Sequence, residues 1–477
     1  MSLEGKYLVK LRGVVLIGMG LFLGLAPAQA QVTHFQHIVL IIQENRTPDN
    51  LFYALCATEP CSTSPDSTQY NIQTSNWLTT NGTVQPGPVS LADLYDLEHR
   101  HSDFAAMCDF DQATGACKMD GAANVVCRPA SDCVTNPQFK YVDNSTGILA
   151  PYLFLASQYG WANYMFQTNQ GPSFPAHQFL FGATSAPSSD DDHAGTFMAE
   201  NLRSLHNGCT ASPHARIQLI DPDGVEDPKN TIYPCIDHQT LADLLDDEDI
   251  GWRYYTPGAG DLWTAPDAIS HICVPVDQQC TGAEWNQNVA LTPVTALSDI
   301  EACNLQPVSW IIPSAQYSDH AGINNGTGPA WVAQIVNQIG GSKCTNPDGS
   351  SYWDSTAIII LWDDWGGWYD HEPPKFLAYP EGGYQYGFRV PMLFVSAYTP
   401  PGFINNLRLD FGAVVRFVEF NFGIPMGALT FADDRSIRNL GEFYNLSLAP
   451  RPFVAVPSPI KPDFRNDKSP MLPPDDD

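Results

Sequence analysis

The chain has 477 residues and a formal net charge of −29, and 44% of its residues are hydrophobic. This composition is typical of a globular protein with room for one large domain or two to three smaller ones. So large an excess of carboxylates argues against electrostatic binding to nucleic acid or to anionic membranes, because both interactions depend on Lys and Arg. An anionic substrate would therefore need a local positive centre, such as a metal ion.

Residues 1–30 have the pattern of an export signal. Basic residues precede an apolar run at 14–25, and Ala28-Gln29-Ala30 supplies the small residues of a cleavage site. A membrane anchor is the alternative, but the apolar run is short for a bilayer span, and we expect no stable membrane insertion. All 12 cysteines follow this segment. An even number of cysteines in an exported chain favours disulfides, so we predict a secreted or periplasmic protein.

Sequence does not fix the disulfide connectivity, but spacing suggests it. Three pairs are predicted as local staples: Cys56 with Cys61, Cys209 with Cys235, and Cys273 with Cys280. Of the remaining six cysteines, we expect Cys303 to pair with Cys344, and Cys108 or Cys117 to pair with Cys127 or Cys133.

The first predicted element of the mature chain is a strand at 38–42, which is apolar without a break and is therefore expected to be buried on both faces. A short helical piece is predicted at 91–97 and a longer helix at 148–158. An extended segment follows at 162–166. A hairpin is predicted between Cys209 and Cys235.

Helices and strands alternate in the second half of the chain. Predicted helices cover 240–247, 329–339 and 410–421, and predicted strands cover 251–255, 308–312, 357–362 and 391–396. This alternation predicts an α/β fold with a mostly parallel central sheet and helices on both faces. We predict one catalytic domain, residues 31–450, and a Pro- and Asp-rich tail, residues 451–477, that is disordered.

Polar pairs follow two of the buried strands. Glu44 and Asn45 come after the first strand, and Asp363 and Asp364 come after the strand at 357–362. Ligands gather at the carboxyl ends of strands in open α/β sheets, so these four side chains are expected around one point. Three carboxylates and one amide oxygen suit a hard or borderline cation. Each pair alone is also typical of a helix cap or a solvated turn.

Ser173 lies in a Gly-Pro-Ser turn at the predicted start of a helix. A hydroxyl there meets the positive end of the helix dipole, which favours a phosphate group. An ordinary N-cap serine is the alternative. His99, His320 and His371 have polar sequence neighbours and could orient a phosphoryl group or protonate a leaving group, although each could equally be a surface histidine.

Residues 37–52, with the run Gln43-Glu44-Asn45-Arg46, resemble the opening motif of the phosphoesterase family that contains bacterial phospholipases C and acid phosphatases. Further blocks of that family are matched in order at 96–99, 118–121, 171–175, 318–320, 363–374 and 388–391. The chain departs from the family at 47–49, where Thr-Pro-Asp replaces Ser-Phe-Asp, and at Asp364, which replaces the commoner Glu.

This resemblance implies an alkaline phosphatase-like α/β sandwich with one divalent metal ion of unknown identity. The implied metal ligands are Glu44, Asn45, Ser173, Asp363 and Asp364. The implied catalytic residues are Ser173 as the nucleophile and His99 and His320 as contacts of the phosphoryl group, and we add Asp319 from the same block as His320.

The predicted function is that of an exported, metal-dependent phosphoric ester hydrolase. An acid phosphatase acting on phosphomonoesters through a phosphoseryl intermediate is the first choice. A phospholipase C-type phosphodiesterase is the alternative, and the aromatic cluster within residues 362–369 leaves it open. A protein that binds phosphate compounds without hydrolysing them is a remote third option. The expected partner is a phosphate ester, with no nucleic acid.

Overall fold

The computed structural model describes residues 33–65, 67–202, 206–374, 386–429, 432, 439–461 and 464–466. The predicted signal peptide, residues 1–30, lies outside the described residues. Within these ranges no helix has both the length and the apolar character needed to cross a bilayer.

Strands and helices alternate along most of the described chain. In chain order the strands are β1 His37–Gln43, β2 Trp77–Thr79, β3 Gly82–Val84, β4 Gly87–Val89, β5 Asp96–Leu97, β6 Cys127–Arg128, β7 Lys140–Val142, β8 Gly160–Phe166, β9 Phe197–Met198, β10 Ile217–Ile220, β11 Glu226–Ile232, β12 Trp252–Tyr255, β13 Val274–Val276, β14 Gln279–Thr281, β15 Val289–Ala290, β16 Val308–Ile311, β17 Thr356–Trp362, β18 Met392–Val395 and β19 Phe403–Asp410. The helices are α1 Pro48–Leu51, α2 His101–Cys108, α3 Ala150–Gln158, α4 Ser173–Gly182, α5 Ser189–Ala194, α6 Leu241–Asp247, α7 Ala283–Asn288, α8 Thr295–Glu301, α9 Gly328–Gly340, α10 Tyr352–Ser355 and α11 Phe411–Phe422.

The central sheet has eight strands in the order β15-β12-β16-β1-β17-β18-β8-β19. Only β18 of this sheet runs antiparallel to its neighbours, and the other pairs are parallel. β1 and β17 lie side by side in the middle, and every residue of both strands is buried. Their unbroken apolar sequences are the pattern that a strand covered on both faces requires.

Helices cover both faces of this sheet. Trp310 of β16 points towards α4, where its indole Nε1 donates to the carbonyl of Leu180 at 3.1 Å. Trp362 of β17 points to the opposite face and packs against Tyr152 of α3, with ring centroids 5.1 Å apart. The predicted α/β class, with a mostly parallel sheet between two helical layers, is confirmed.

Two local predictions differ from the structure. The predicted helical piece at 91–97 is wrong, because Asp96 and Leu97 form β5 and pair with Cys127 and Arg128 of β6. Leu97 is fully buried, so tertiary packing overrides a weak local helix preference. The sequence also gave no indication of β19, an edge strand whose apolar pattern is interrupted by polar residues and by a register shift between Asn405 and Arg408.

Six disulfides link the twelve cysteines, and four of them are the predicted pairs. The expected cross-pairing between the other four cysteines is wrong. Cys108 bonds Cys117 and Cys127 bonds Cys133, closing separations of nine and six residues. The reason is local: each partner folds back within its own short loop, which brings the two Cα atoms to 4.5 and 6.1 Å.

The beginning of the predicted tail is ordered against the domain. The Arg451 guanidinium donates to the carbonyls of Gln158 and Thr399. Asn337 of α9 exchanges two hydrogen bonds with the backbone of Val456. The expectation of disorder is therefore wrong for residues 451–461, and residues 467–477 lie outside the described part.

Candidate active site

The two predicted polar pairs meet at the carboxyl edge of the sheet. β1 and β17 are in parallel register with Gln43 opposite Trp362, so the residues that follow each strand emerge side by side. The backbone N–H of Asn45 donates to Asp363 Oδ1 at 3.1 Å. Glu44, Asn45, Asp363 and Asp364 are all fully buried. The structure thus brings together two pairs of residues that are more than 300 positions apart in the sequence.

Asn45 adopts an uncommon backbone conformation, with φ of 61°. Among residues other than glycine, Asn is one of the few that tolerate this left-handed region. Strained backbone of this kind clusters at functional sites, where surrounding contacts hold it in place. Here the contacts are the bond to Asp363 and a bond from the Asn45 amide to His99.

Ser173 is the first residue of α4, and its hydroxyl points into this cluster. Ser173 Oγ donates to Asp364 Oδ2 at 3.0 Å and lies 3.4 Å from Asn45 Oδ1. The alternative of an ordinary N-cap serine does not apply, because the N-cap is Pro172 and the helix has no side-chain cap bond. The Ser173 hydroxyl therefore faces the predicted ligands instead of serving its own helix.

The turn before Ser173 is held by neighbouring amides. The Asn169 side chain donates to the carbonyls of Gly171 and Pro172 at 2.8 and 3.0 Å. The backbone N–H of Phe174 donates to Asn201 Oδ1 at 2.9 Å. Gly171 has no room for a side chain, since a Cβ there would lie 2.2 Å from the Ala199 carbonyl oxygen. These contacts fix the direction of the serine hydroxyl.

The two histidines predicted to contact the phosphoryl group, His99 and His320, lie at the same edge of the sheet. His99 Nδ1 is 2.8 Å from the Leu97 carbonyl and donates to it, which leaves Nε2 to accept from the Asn45 amide at 2.9 Å. His99 Nε2 is also 3.9 Å from Asp364 Oδ2. His320 is anchored through Nδ1 to the Ala321 carbonyl at 2.7 Å, and its ring centroid is 5.9 Å from that of His99.

Asp319, predicted as catalytic, has a different environment. Its carboxylate accepts hydrogen bonds from the Tyr152 hydroxyl at 2.8 Å and from the Trp362 indole at 3.0 Å. Burial raises the pKa of Asp319 to about 6. Its contacts tie α3 to β17 in the core, and they favour a structural role over direct participation in chemistry.

His177 is a site residue that the sequence prediction missed. It is four residues after Ser173 on α4, and residues at this spacing share one face of a helix. His177 Nε2 lies 3.1 Å from Glu44 Oε1 and 3.7 Å from Asp363 Oδ2. The i, i+4 spacing between Ser173 and His177 could have identified this residue from the sequence.

Burial shifts the pKa of three residues in this cluster. It raises the pKa of Glu44 well above its usual range, with the neighbouring Asp363 carboxylate adding to the effect. The pKa of Asp364 is raised to about 8, first by burial and then by Asp363. Burial lowers the pKa of His177 to about 4. Crowded buried carboxylates of this kind need protons or a cation.

The donor set fits a divalent cation. Glu44, His177 and Asp363 each offer a ligand atom, and the three atoms lie within 4.8 Å of one another. Glu44 Oε2 and Asp363 Oδ2 are buried without a hydrogen-bond partner in the described part of the chain. Since buried polar atoms are nearly always paired, these two oxygens mark a place for a positive ligand.

His371, whose role the sequence left open, belongs to a separate buried network. Its Nδ1 is 2.7 Å from Asp49 Oδ2. Arg389 makes a bidentate pair with Asp370, with N–O distances of 3.0 and 2.9 Å, and lies 3.5 Å from Asp49. This network joins three of the matched sequence blocks and supports the loop that follows Asp364.

Comparisons with known proteins show the family to which the chain belongs. The family model described as Phosphoesterase family matches residues 35–425. Phospholipase C B of Mycobacterium tuberculosis (strain ATCC 25618 / H37Rv) is 22% identical in an alignment 490 residues long, gaps included, that covers 94% of this chain and 84% of that protein. Non-hemolytic phospholipase C of Pseudomonas aeruginosa is 28% identical in an alignment 215 residues long that covers 39% of this chain and 28% of that protein.

Among solved structures, a protein in the alkaline phosphatase superfamily from Vibrio parahaemolyticus is 10% identical, with a TM-score of 0.32 over 60% of this chain and 62% of that chain. A TM-score this low supports no conclusion about the site. The family-model match at 35–425 covers most of the sequence and is independent of this structural comparison. The chain therefore belongs to the Phosphoesterase family, and it is a phosphoric ester hydrolase, as its sequence predicted.

Proposed function

We propose that the protein is a metal-dependent phosphomonoesterase of the acid phosphatase type, exported from the cell, in which Ser173 is the nucleophile. One observation carries the proposal: Ser173 Oγ lies at the start of α4, 3.0 Å from Asp364 Oδ2, among carboxylates that are buried together. A serine in that position has an acceptor for its proton and a helix dipole that favours a phosphate group.

Glu44, Asn45, Ser173, Asp363 and Asp364 would hold one divalent ion, which when bound would act as a Lewis acid towards a phosphoryl oxygen. Asp364 accepts the proton from Ser173, whose oxygen forms a bond to phosphorus while the bond to the leaving alcohol breaks. That alcohol takes its proton from His320, while His99 accepts a hydrogen bond from the Asn45 amide and so positions it. Water then attacks phosphorus and gives one proton to His320. The bond to Ser173 breaks, the proton on Asp364 returns to Ser173, and inorganic phosphate is released.

A polar cavity lies near the start of α4, and its lining supports a hydrophilic leaving group. The cavity has a volume of about 500 Å³, and its lining includes Arg100, Glu200, Asn201 and Arg216. Asn201 accepts a hydrogen bond from the backbone N–H of Phe174, the residue after Ser173, so the cavity lies close to the start of α4. Charged and amide groups are costly to cover with an acyl chain, because their hydrogen bonds to water would be lost.

Phospholipase C-type hydrolysis of phosphodiesters is the second candidate, and the names of the relatives favour it. That activity calls for an apolar or aromatic rim around the site. Trp362, Trp365, Trp368 and Tyr369 are fully buried, as Ser173 is. Trp365 packs edge-on against His99, with ring centroids 5.9 Å apart, so one member of this aromatic cluster lies at the site. The polar lining of the cavity near the start of α4 leads us to place the monoesterase first.

The experiment compares hydrolysis of p-nitrophenyl phosphate and of p-nitrophenylphosphorylcholine by the wild type, Ser173→Ala and Ser309→Ala. Ser309 is a matched control, because it is a fully buried serine that pairs with Val39 in the middle of the sheet, away from the carboxylate cluster. We expect loss of turnover only in Ser173→Ala and a faster reaction with the monoester. A faster reaction with the diester would favour the second candidate. Retained turnover in Ser173→Ala would refute the mechanism, and ligand binding without turnover in the wild type would indicate a non-catalytic binding protein.

A further inference from the structure

We propose that His177 is a nitrogen ligand of the metal ion and that it makes the site selective for a borderline transition-metal ion over Ca²⁺ or Mg²⁺. This inference rests on the proposed function for the presence of a metal. It goes further by adding a residue outside the five predicted oxygen ligands and by naming the class of ion.

The position of His177 on α4 places its ring in the metal cluster. Its Nε2 atom is 3.1 Å from Glu44 Oε1 and 3.7 Å from Asp363 Oδ2. Two ligand atoms bound to one small cation at roughly 2.0–2.2 Å stand about 3–4 Å apart. The three side chains are fully buried, so water does not compete for these atoms.

A simple hydrogen bond from His177 to Glu44 leaves two buried oxygens unmatched. Glu44 Oε2 and Asp363 Oδ2 have no hydrogen-bond partner in the part of the chain that the structure describes. A cation between the two carboxylates and the imidazole nitrogen satisfies both orphaned oxygens at once. It also neutralises negative charge that the hydrogen bond alone leaves in place.

The chemistry of the donor set determines which ions fit. Carboxylate and amide oxygens alone suit Ca²⁺, Mg²⁺ and Mn²⁺, whereas imidazole nitrogen favours Zn²⁺, Fe²⁺ and Co²⁺. Ser173 and His177 approach from one face of the same helix, as paired ligands at i and i+4 do in other metal sites. The resulting set of oxygen atoms and one nitrogen atom suits metal ions of borderline hardness, such as Zn²⁺, Fe²⁺ and Co²⁺.

The test uses the purified full-length protein, stripped with a chelator and reloaded with Zn²⁺, Co²⁺ or Ca²⁺. Bound metal is measured by elemental analysis after desalting, and dissociation constants are measured by competition with a chromophoric chelator. The variants are His177→Ala, His177→Gln and the control His238→Ala. His238 is also a buried histidine close to α4, but it contacts Gly182 at the other end of the helix.

We expect the wild type to bind Zn²⁺ and Co²⁺ more tightly than Ca²⁺. Both His177 variants should weaken Zn²⁺ and Co²⁺ binding by at least about tenfold and change the visible absorption spectrum of bound Co²⁺, while His238→Ala should do neither. Unchanged affinities and an unchanged Co²⁺ spectrum in His177→Gln would overturn the proposal. Circular dichroism identifies a variant that fails to fold, and His177→Gln keeps the test valid if His177→Ala does.

These readouts do not depend on turnover, so the two proposals can fail separately. If Ser173→Ala keeps its hydrolytic rate while His177→Gln loses Co²⁺, the proposed nucleophile is wrong and the nitrogen ligand stands. If Ser173→Ala loses its rate while His177→Gln binds Co²⁺ as the wild type does, the nucleophile stands and the nitrogen ligand is wrong.

Discussion

Gly366, two residues after Asp364, offers a direct test of how tightly the site is built. Gly366 has φ of 59°, and a Cβ there would lie 2.4 Å from the carbonyl oxygen of Asn45 and 2.7 Å from the Asn45 Cβ. Ordinary contacts begin near 3.4 Å, so Gly366→Ala must displace Asn45 by about 1 Å. Misplacing a catalytic group by this distance costs about 100-fold in rate. The left-handed alanine also costs about 1–2 kcal/mol of stability.

We therefore expect kcat/KM for p-nitrophenyl phosphate to fall about 100-fold in Gly366→Ala while the fold, followed by circular dichroism, is retained. Gly349→Ala is the matched control, since Gly349 has φ of 87° but a Cβ there would meet nothing within 4 Å. The control should lose similar stability and keep its activity. If Gly366→Ala and Gly349→Ala had equal activity, the position of Asn45 would not matter and the proposed site geometry would be wrong.

Three further predictions follow from other contacts. Burial raises the pKa of Asp319 to about 6, so the proton that it binds stabilises the folded state fully below pH ~4. We expect the free energy of unfolding to fall by about 3 kcal/mol between pH ~4 and ~6. Urea unfolding of the wild type should show this fall, and an equal fall in Asp319→Asn would contradict the prediction. Replacing Cys303 and Cys344 by serine removes a bridge across 41 residues. It should lower the unfolding free energy by about 4 kcal/mol with little change in rate, and a stability equal to the wild type would refute this estimate. His99→Ala removes the acceptor of the Asn45 amide. We expect kcat to fall about 10- to 100-fold at every pH tested, and a rate within twofold of the wild type would exclude a role for His99.

The sequence was sufficient to predict both halves of the buried cluster that we propose as the ligand set. β1 and β17 are unbroken apolar runs that end in polar pairs, and parallel strands deliver such pairs to the same edge. It did not show that the two strands are neighbours. That contact joins segments more than 300 residues apart, and many strand orders are compatible with the same local patterns.

Two other features were missed by reasoning from local patterns. The sequence placed Ser173 at the start of a helix, but Pro175, which the first turn of a helix tolerates, obscured that turn, and His177 was not considered together with Ser173. A sequence block identified Asp319 but not the direction of its carboxylate. That direction is set by Tyr152 and Trp362, which come from distant parts of the chain.

The central claim is that Ser173 carries the phosphoryl group during turnover. The most direct measurement is acid quenching of the metal-loaded wild type during hydrolysis of p-nitrophenyl phosphate, followed by peptide mass spectrometry. We predict phosphoserine at position 173 in the wild type, and no phosphorylated peptide in Ser173→Ala. Turnover of the wild type with phosphate trapped on a different residue, or an equal rate in Ser173→Ala, would contradict the account.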